Sequence, residues 1–242
     1  MPDQHPDCDD REPPPARRPL RRTIVSLVCY FLVLAACMFL PAGRLDWLRG
    51  WIFFVSYLAV MIAATFYLWR ANPEIVVARS TLFHRGAKLW DRVPLVLLVV
   101  LFMAMFPIAA LDDARFHWST VPPWLTVAGC VLCSLGIAGS VWVLRVNKFA
   151  EPGVRIQTER EHKVVDTGPY AVVRHPLYST AFFLCGGVPL ALGSYWAFVP
   201  AAIAVLVLMV RTALEDRTLH NELDGYKGYA GRVRYRLVPG IW

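Results

Sequence analysis

Two polar clusters interrupt an otherwise apolar second half of the chain: Gly168-Pro169-Tyr170 followed by Arg174-His175-Pro176-Leu177-Tyr178, and Glu215-Asp216 just past a long apolar run. A guanidinium can grip a carboxylate through two parallel N–H donors. An imidazole or a phenol can donate or accept a hydrogen bond, and a carboxylate can hold a cation or take up a proton. Pro176 suits the first turn of a helix, where its missing N–H costs nothing. That placement puts Arg174 and His175 at the helix mouth and Tyr178 one turn in, beside the positive end of the helix dipole. Glu215 lies within about a turn of apolar sequence, where a charge is expensive unless it is functional or paired. Its plain alternative is an ion pair with Arg211, four residues earlier on the same face. Arg174, His175 and Tyr178 have plain alternatives too, as a headgroup anchor, a helix cap and a member of an interfacial aromatic belt.

The elements that must position these groups are set by composition. Hydrophobic residues make up 57% of 242 and the mean hydropathy is +0.45, outside the range of ordinary soluble domains. A hydrocarbon layer of about 30 Å needs roughly 20 apolar residues in a helix. Six stretches approach that length: 24–42, 50–69, 93–111, 124–144, 177–192 and 195–210. The last two are short and separated only by Gly193-Ser194, which predicts a tight helical hairpin. With the N-terminus in the cytoplasm, 22 of the 25 Lys and Arg residues fall on the cytoplasmic side, leaving only Arg44, Arg49 and Arg115 outside. The pattern predicts an all-α, multi-pass integral membrane protein of about six spans, with both termini cytoplasmic. It also accounts for the net charge of +7 as a surface facing anionic headgroups, without nucleic acid.

Three segments follow. Residues 1–22, rich in Pro, Asp and Arg, are expected to form a disordered cytoplasmic tail. Residues 23–144 hold the first four spans. Residues 145–242 hold the polar clusters, the helical hairpin and a C-terminal stretch in which Tyr226, Tyr229, Arg232, Arg234, Tyr235 and Arg236 precede Pro239. The apolar run at 23–43 exceeds a signal-peptide core, which favours a retained first helix. Cys29, Cys37, Cys130, Cys133 and Cys185 lie inside apolar runs and read as small hydrophobes, while Cys8 lies in the tail. Cys130 and Cys133 have no second pair or histidine cluster beside them, so no metal site is expected. No Walker loop, GxGxxG, HExxH or GxSxG motif occurs.

The spacing of Gly168-Pro169-Tyr170, Arg174-His175-Pro176-x-Tyr178, Glu215-Asp216-x-x-Leu219 and Tyr226-x-x-Tyr229 with its basic tail resembles the isoprenylcysteine carboxyl methyltransferase and phospholipid methyltransferase superfamily of integral membrane enzymes. The upstream Val154-Arg155-Ile156-Gln157-x-x-Arg160-x-His162 fits its bacterial members. The likeness covers roughly residues 145–242, and the earlier helices only by pattern. Two positions depart from it: Asp216 stands where the family has a second glutamate, and Glu161 stands where it has glycine, which permits backbone angles that glutamate disfavours.

The resemblance implies S-adenosylmethionine bound on the cytoplasmic side, with a lipophilic or lipidated acceptor arriving from among the membrane lipids. By position, Gln157, His162, Gly168, Pro169, Tyr170, His175, Pro176 and Tyr178 would belong to the cofactor pocket, with Arg174 and Glu215 a polar pair at the reaction centre. Arg174 could hold an acceptor carboxylate, and Glu215 could take a proton from an acceptor amine. The sequence leaves the acceptor and the oligomeric state open. A membrane sterol-type reductase using NADPH, and a non-catalytic small transporter, stand as the other readings. Arg174 and Glu215 are expected to face each other, since adjacent antiparallel helices bring their ends within about 8–10 Å.

Overall fold

The computed structural model describes residues 17–242, with side chains from residue 21 onward. The segment read as a tail lies outside the described residues up to residue 16; α1 (Arg17–Ala42) already takes in its last residues. Seven further helices follow: α2 (Leu48–Ala71), α3 (Pro73–Arg79), α4 (Leu89–Ala109), α5 (Pro123–Val146), α6 (Pro176–Leu192), α7 (Phe198–Glu222) and α8 (Tyr226–Arg232). No strand occurs among the described residues. In α1, α2, α4, α5 and α7 length and hydropathy suffice to cross a bilayer, while α6, with 17 residues, stands at the short end of what can span. The chain is an all-α, polytopic membrane protein.

Lipid-facing surface explains residues that water would penalise. Leu32, Leu40, Val93, Val127 and Leu206 are all more than half exposed, a normal surface for helices bathed in acyl chains but a liability in water. The interior is a continuous cluster that includes Leu34, Met38, Phe53, Phe106, Ala191 and Leu192. Because lipid tails are as apolar as leucine, helices in a bilayer gain most from close backbone approach at small residues. The α5–α6 pair does this: a Cβ added at Gly129 would lie 2.2 Å from the Ala191 nitrogen, and one added at Gly187 would lie 2.7 Å from Cys133 Sγ. Cys133 thus fills the contact as a small apolar side chain.

At the end of α4 a π-helical turn, Ala110–Phe116, presents Asp112 and Asp113. Asp112 accepts from the Ser119 backbone and hydroxyl and from the Ser194 hydroxyl, which ties this turn to the α6–α7 connection.

Two expectations are corrected in the hairpin. The second arm begins at Phe198 rather than 195, after a turn that closes with Gly193 in the left-handed region at φ 75°. It also continues to Glu222 rather than stopping near 210. The reason is local: residues 211–222 contain no Pro or Gly, and the first breaker is Gly225 at φ 80°. The extra three turns carry Arg211, Glu215 and Asp216 on a rigid helix rather than a loop. The helix lies alongside α4, whose first turn supplies Asp91.

Candidate functional site

Asp216 is the most heavily bonded side chain at this end of the molecule. Its Oδ1 accepts from Arg174 Nε at 2.9 Å and from the Tyr226 hydroxyl at 2.8 Å, with His175 Nε2 at 3.3 Å. Its Oδ2 accepts from Arg174 Nη2 at 3.0 Å and Arg236 Nε at 2.9 Å. Arg174 Nη1 donates onward to the carbonyls of Val233 and Arg234, at 2.9 and 3.0 Å. Backbone bonds add to this: the Arg174 and His175 N–H groups donate to the carbonyls of Tyr235 and Arg236. The C-terminal segment is therefore folded back onto the mouth of α6 and the side of α7. A buried carboxylate answered by two guanidiniums and a phenol has its charge well compensated.

Arg174 and Glu215 line the same cavity but share no bond with each other. Successive residues on a helix point about 100° apart, so Asp216 faces the α6 mouth and the C-terminal segment while Glu215 faces the next turn of α6. There Glu215 Oε2 accepts from the Tyr178 hydroxyl. The alternative Arg211–Glu215 ion pair does not form either. Arg211 instead grips Asp91 of α4 through two bonds of 2.6 and 2.9 Å, and its Nη2 also donates to the Pro152 carbonyl at 2.6 Å. Asp91 Oδ2 accepts the Val154 N–H at 2.8 Å, so one buried ion pair holds α4, α7 and the following loop together. Arg211 also lies 5.2 Å over the Tyr178 ring, a cation–π contact that fixes the phenol from above.

The loop between α5 and α6 is equally tied. Gln157, only 1% exposed, donates to the Phe149 carbonyl at 2.8 Å and accepts from Arg160 at 2.8 Å. His162 stacks near Phe149, ring centres 4.4 Å apart, and its Nδ1 receives a long 3.4 Å contact from the Gln157 N–H. Burial, reinforced by the Arg155 charge, lowers the His162 imidazole from 6.5 to about 4. Glu161 adopts the left-handed conformation at φ 51°, a geometry that glycine would adopt without strain. Gly168, at φ 58°, starts a short 3-10 turn through Pro169 and Tyr170. The Tyr170 hydroxyl accepts from Asn147 at 2.8 Å, and its carbonyl accepts from the Tyr229 hydroxyl at 2.7 Å. Burial raises the pKa of Tyr170, Tyr226 and Tyr229, so these phenols stay neutral donors.

A cavity of about 680 Å³ opens among these groups. His162, Tyr170, Arg174, His175, Tyr178 and Glu215 line it. Gln157, Gly168, Pro169 and Pro176 do not; they shape the loop and the α6 start behind it. Tyr30, Met61, Leu95, Leu98 and Phe102, from α1, α2 and α4, add a largely apolar wall to it. Sequence reasoning missed Asp91, Asp216 and Asn147. For Asp91 a signal existed, since it too is a carboxylate beside an apolar run. Asp216 was masked by its neighbour, and Asn147 carries no signal apart from the fold.

Residues 124–223 match the family model described as phospholipid methyltransferase. No curated protein matches the chain significantly. The matched stretch runs from α5 through α7 and so contains Asn147, the α5–α6 loop, the Arg174–Asp216 clamp and the Tyr178–Glu215 pair.

Two outcomes follow from this geometry. Asp216→Ala strands Arg174 and Arg236 without their carboxylate, at a cost of about 3–5 kcal/mol. Arg174→Lys keeps the charge but loses the fork and the bonds to Val233 and Arg234, with a smaller cost. Thermal unfolding of the purified variants in detergent checks the order, and an Asp216→Ala variant melting with the parent would refute the clamp. For His162, the folded state binds its proton more weakly than the unfolded chain does. Stability therefore rises as pH climbs from about 4 to 6.5 and is flat above that. His162→Gln should flatten this slope in melting curves taken across the same pH range; an unchanged slope would show that another group titrates there.

Proposed function

We propose, from the match of residues 124–223 to the phospholipid methyltransferase family model, that this protein is an integral membrane methyltransferase that transfers a methyl group from S-adenosylmethionine to a lipophilic acceptor at the cytoplasmic membrane face. The observation that carries the reading is one cavity lined both by apolar side chains of the membrane-spanning helices and by tyrosines, His175 and Glu215. Its volume of about 680 Å³ lies within the ~300–1,000 Å³ typical of small-molecule sites. An isoprenylcysteine-like carboxylate or a phospholipid amine is the acceptor class that suits the apolar wall.

The residues present fit the cofactor. Glu215 Oε2 is engaged by Tyr178 while Oε1 has no protein partner among the described residues, so a carboxylate oxygen is free to answer a cation. Glu215, Tyr170, Tyr178, His175 and His162 would hold the group, with Tyr226 and Tyr229 closing over it. The chemistry it supplies when bound is a methyl on a cationic sulfur, displaced in line by the acceptor. The chain's part is alignment and exclusion of water. Tyr178, itself fixed by Arg211, sets the orientation of Glu215. An acceptor amine would lose its proton to Glu215 Oε1, whereas a carboxylate acceptor needs no base. Arg174 acts here as a positioning residue, because its donors are already given to Asp216 and to the C-terminal carbonyls.

Support for the cytoplasmic placement is the 22-to-3 division of basic residues. Reporter fusions after Trp242 should be active only in the cytoplasm; activity confined to the outer side would reverse the orientation. Calorimetry on the purified protein should show binding of S-adenosylmethionine and of its demethylated product, and none of NADPH. Glu215→Gln should lower turnover by about 100-fold or more with the melting temperature retained. Heat with NADPH alone, or none with either cofactor, would sink the proposal.

A further inference from the structure

Four arginines line the cavity: Arg79, Arg155, Arg174 and Arg211. Three of them are neutralised by the protein, Arg155 by Glu151 and Glu159, Arg174 by Asp216 and Arg211 by Asp91. Arg79 is not. Its Nη1 donates to the Ala150 carbonyl at 2.9 Å, and no carboxylate among the described residues lies within ion-pair distance. A guanidinium has five N–H donors in a fixed fork, so most of this one is uncommitted. Arg79 is solvent-accessible at the cavity wall, so water serves its free donors until an anion drawn into the cavity takes that water's place.

Position distinguishes which ligand brings that anion. Arg79 ends α3, which follows α2 after a single residue, Asn72. The apolar wall of the cavity comes from the same half of the chain, from Tyr30 of α1, Met61 of α2 and Leu95 and Phe102 of α4. The groups assigned to the cofactor all come from residues 157–229. Arg79, held on the Ala150 carbonyl, and this apolar wall line the same cavity, which sets a cationic fork and an apolar surface before one ligand. Arg79 also lies outside the matched 124–223 region.

We propose that Arg79 receives the oxyanion of the lipophilic acceptor, a lipid phosphate or a prenylcysteine-type carboxylate, and so selects acceptors that carry an anion at the level of the membrane surface. The proposal rests on the methyltransferase reading for the word acceptor, while the binding site itself does not. Arg79 registers the substrate, and a phosphate held in its fork places the neighbouring amine, just as a carboxylate held there is itself the nucleophile.

The test is direct binding to the purified full chain in maltoside micelles, with and without the demethylated cofactor. One arm uses a short-chain phosphatidylethanolamine against the matching diacylglycerol; the other uses N-acetyl-S-farnesylcysteine against its methyl ester. The parent should bind one anionic probe more tightly than its neutral partner, and which probe does so identifies the source of the oxyanion. Arg79→Gln should weaken that probe by about 10- to 100-fold, leaving the neutral partner, the demethylated cofactor and the melting temperature unchanged. Arg79→Lys should recover part of the loss, which a merely structural role would not predict. Equal affinity for anionic and neutral partners in the parent, or a loss confined to the cofactor in Arg79→Gln, would overturn the assignment. Arg79-dependent binding of an anionic probe in a protein that ignores the cofactor would leave this site standing and remove the methyltransferase reading instead.

Discussion

A carboxylate held inside the end of a membrane helix must be answered by donors, and at Asp216 that requirement ties three segments of the chain together. Arg174 reaches it from the mouth of α6, Tyr226 from α8 and Arg236 from the C-terminal strap. Each comes from a different part of the chain. The electrostatic cost of leaving Asp216 unpaired would be several kcal/mol, so the three segments are fixed together. Arg174 passes the constraint along by donating to the Val233 and Arg234 carbonyls, backbone groups that would otherwise lack partners.

The same helix repeats this device with different partners. Arg211 faces Asp91 of α4 and Glu215 faces Tyr178 of α6, so a single rigid element distributes three ionisable groups to three neighbours. Two of these groups are spent on architecture. Glu215 is the exception: it has one hydrogen bond, sits half-buried, and faces the cavity. The contrast separates the structural charges from the one whose remaining capacity points at a ligand. Arg79 stands out on the same grounds among the four arginines that line the cavity, and the two opposite, uncommitted charges come from the two halves of the chain.

The cavity between them follows from how a membrane protein is packed. Helices approach closely only where small residues allow it, as along Gly129 and Gly187 between α5 and α6. Where α1, α2 and α4 carry Tyr30, Met61, Leu95 and Phe102 instead, the packing leaves the cavity open. The loop from 147 to 175 contributes polar lining. It is braced internally by Gln157 and by Glu151, which binds Arg155 through two bonds, and it is joined to the ion pair of α4 and α7 through Pro152 and Val154.

What the sequence determined by itself is what depends on local composition: the membrane-spanning runs, the basic asymmetry, the helix start at Pro176 and the polar motifs beside it. Apolar length and proline's fixed geometry act within a few residues and survive any arrangement of the chain. Even the left-handed Glu161 could be anticipated, because it replaces a glycine in an otherwise similar pattern. Partnership could not be read this way. Glu215 and Asp216 are adjacent and chemically alike, yet helix rotation sends one to Tyr178 and the other to Arg174; Arg211 passes over the carboxylate one turn away for Asp91, 120 residues earlier. Such choices depend on which helix lies beside which face, and on the cost of leaving any charge unpaired between them, quantities that exist only once the helices have packed.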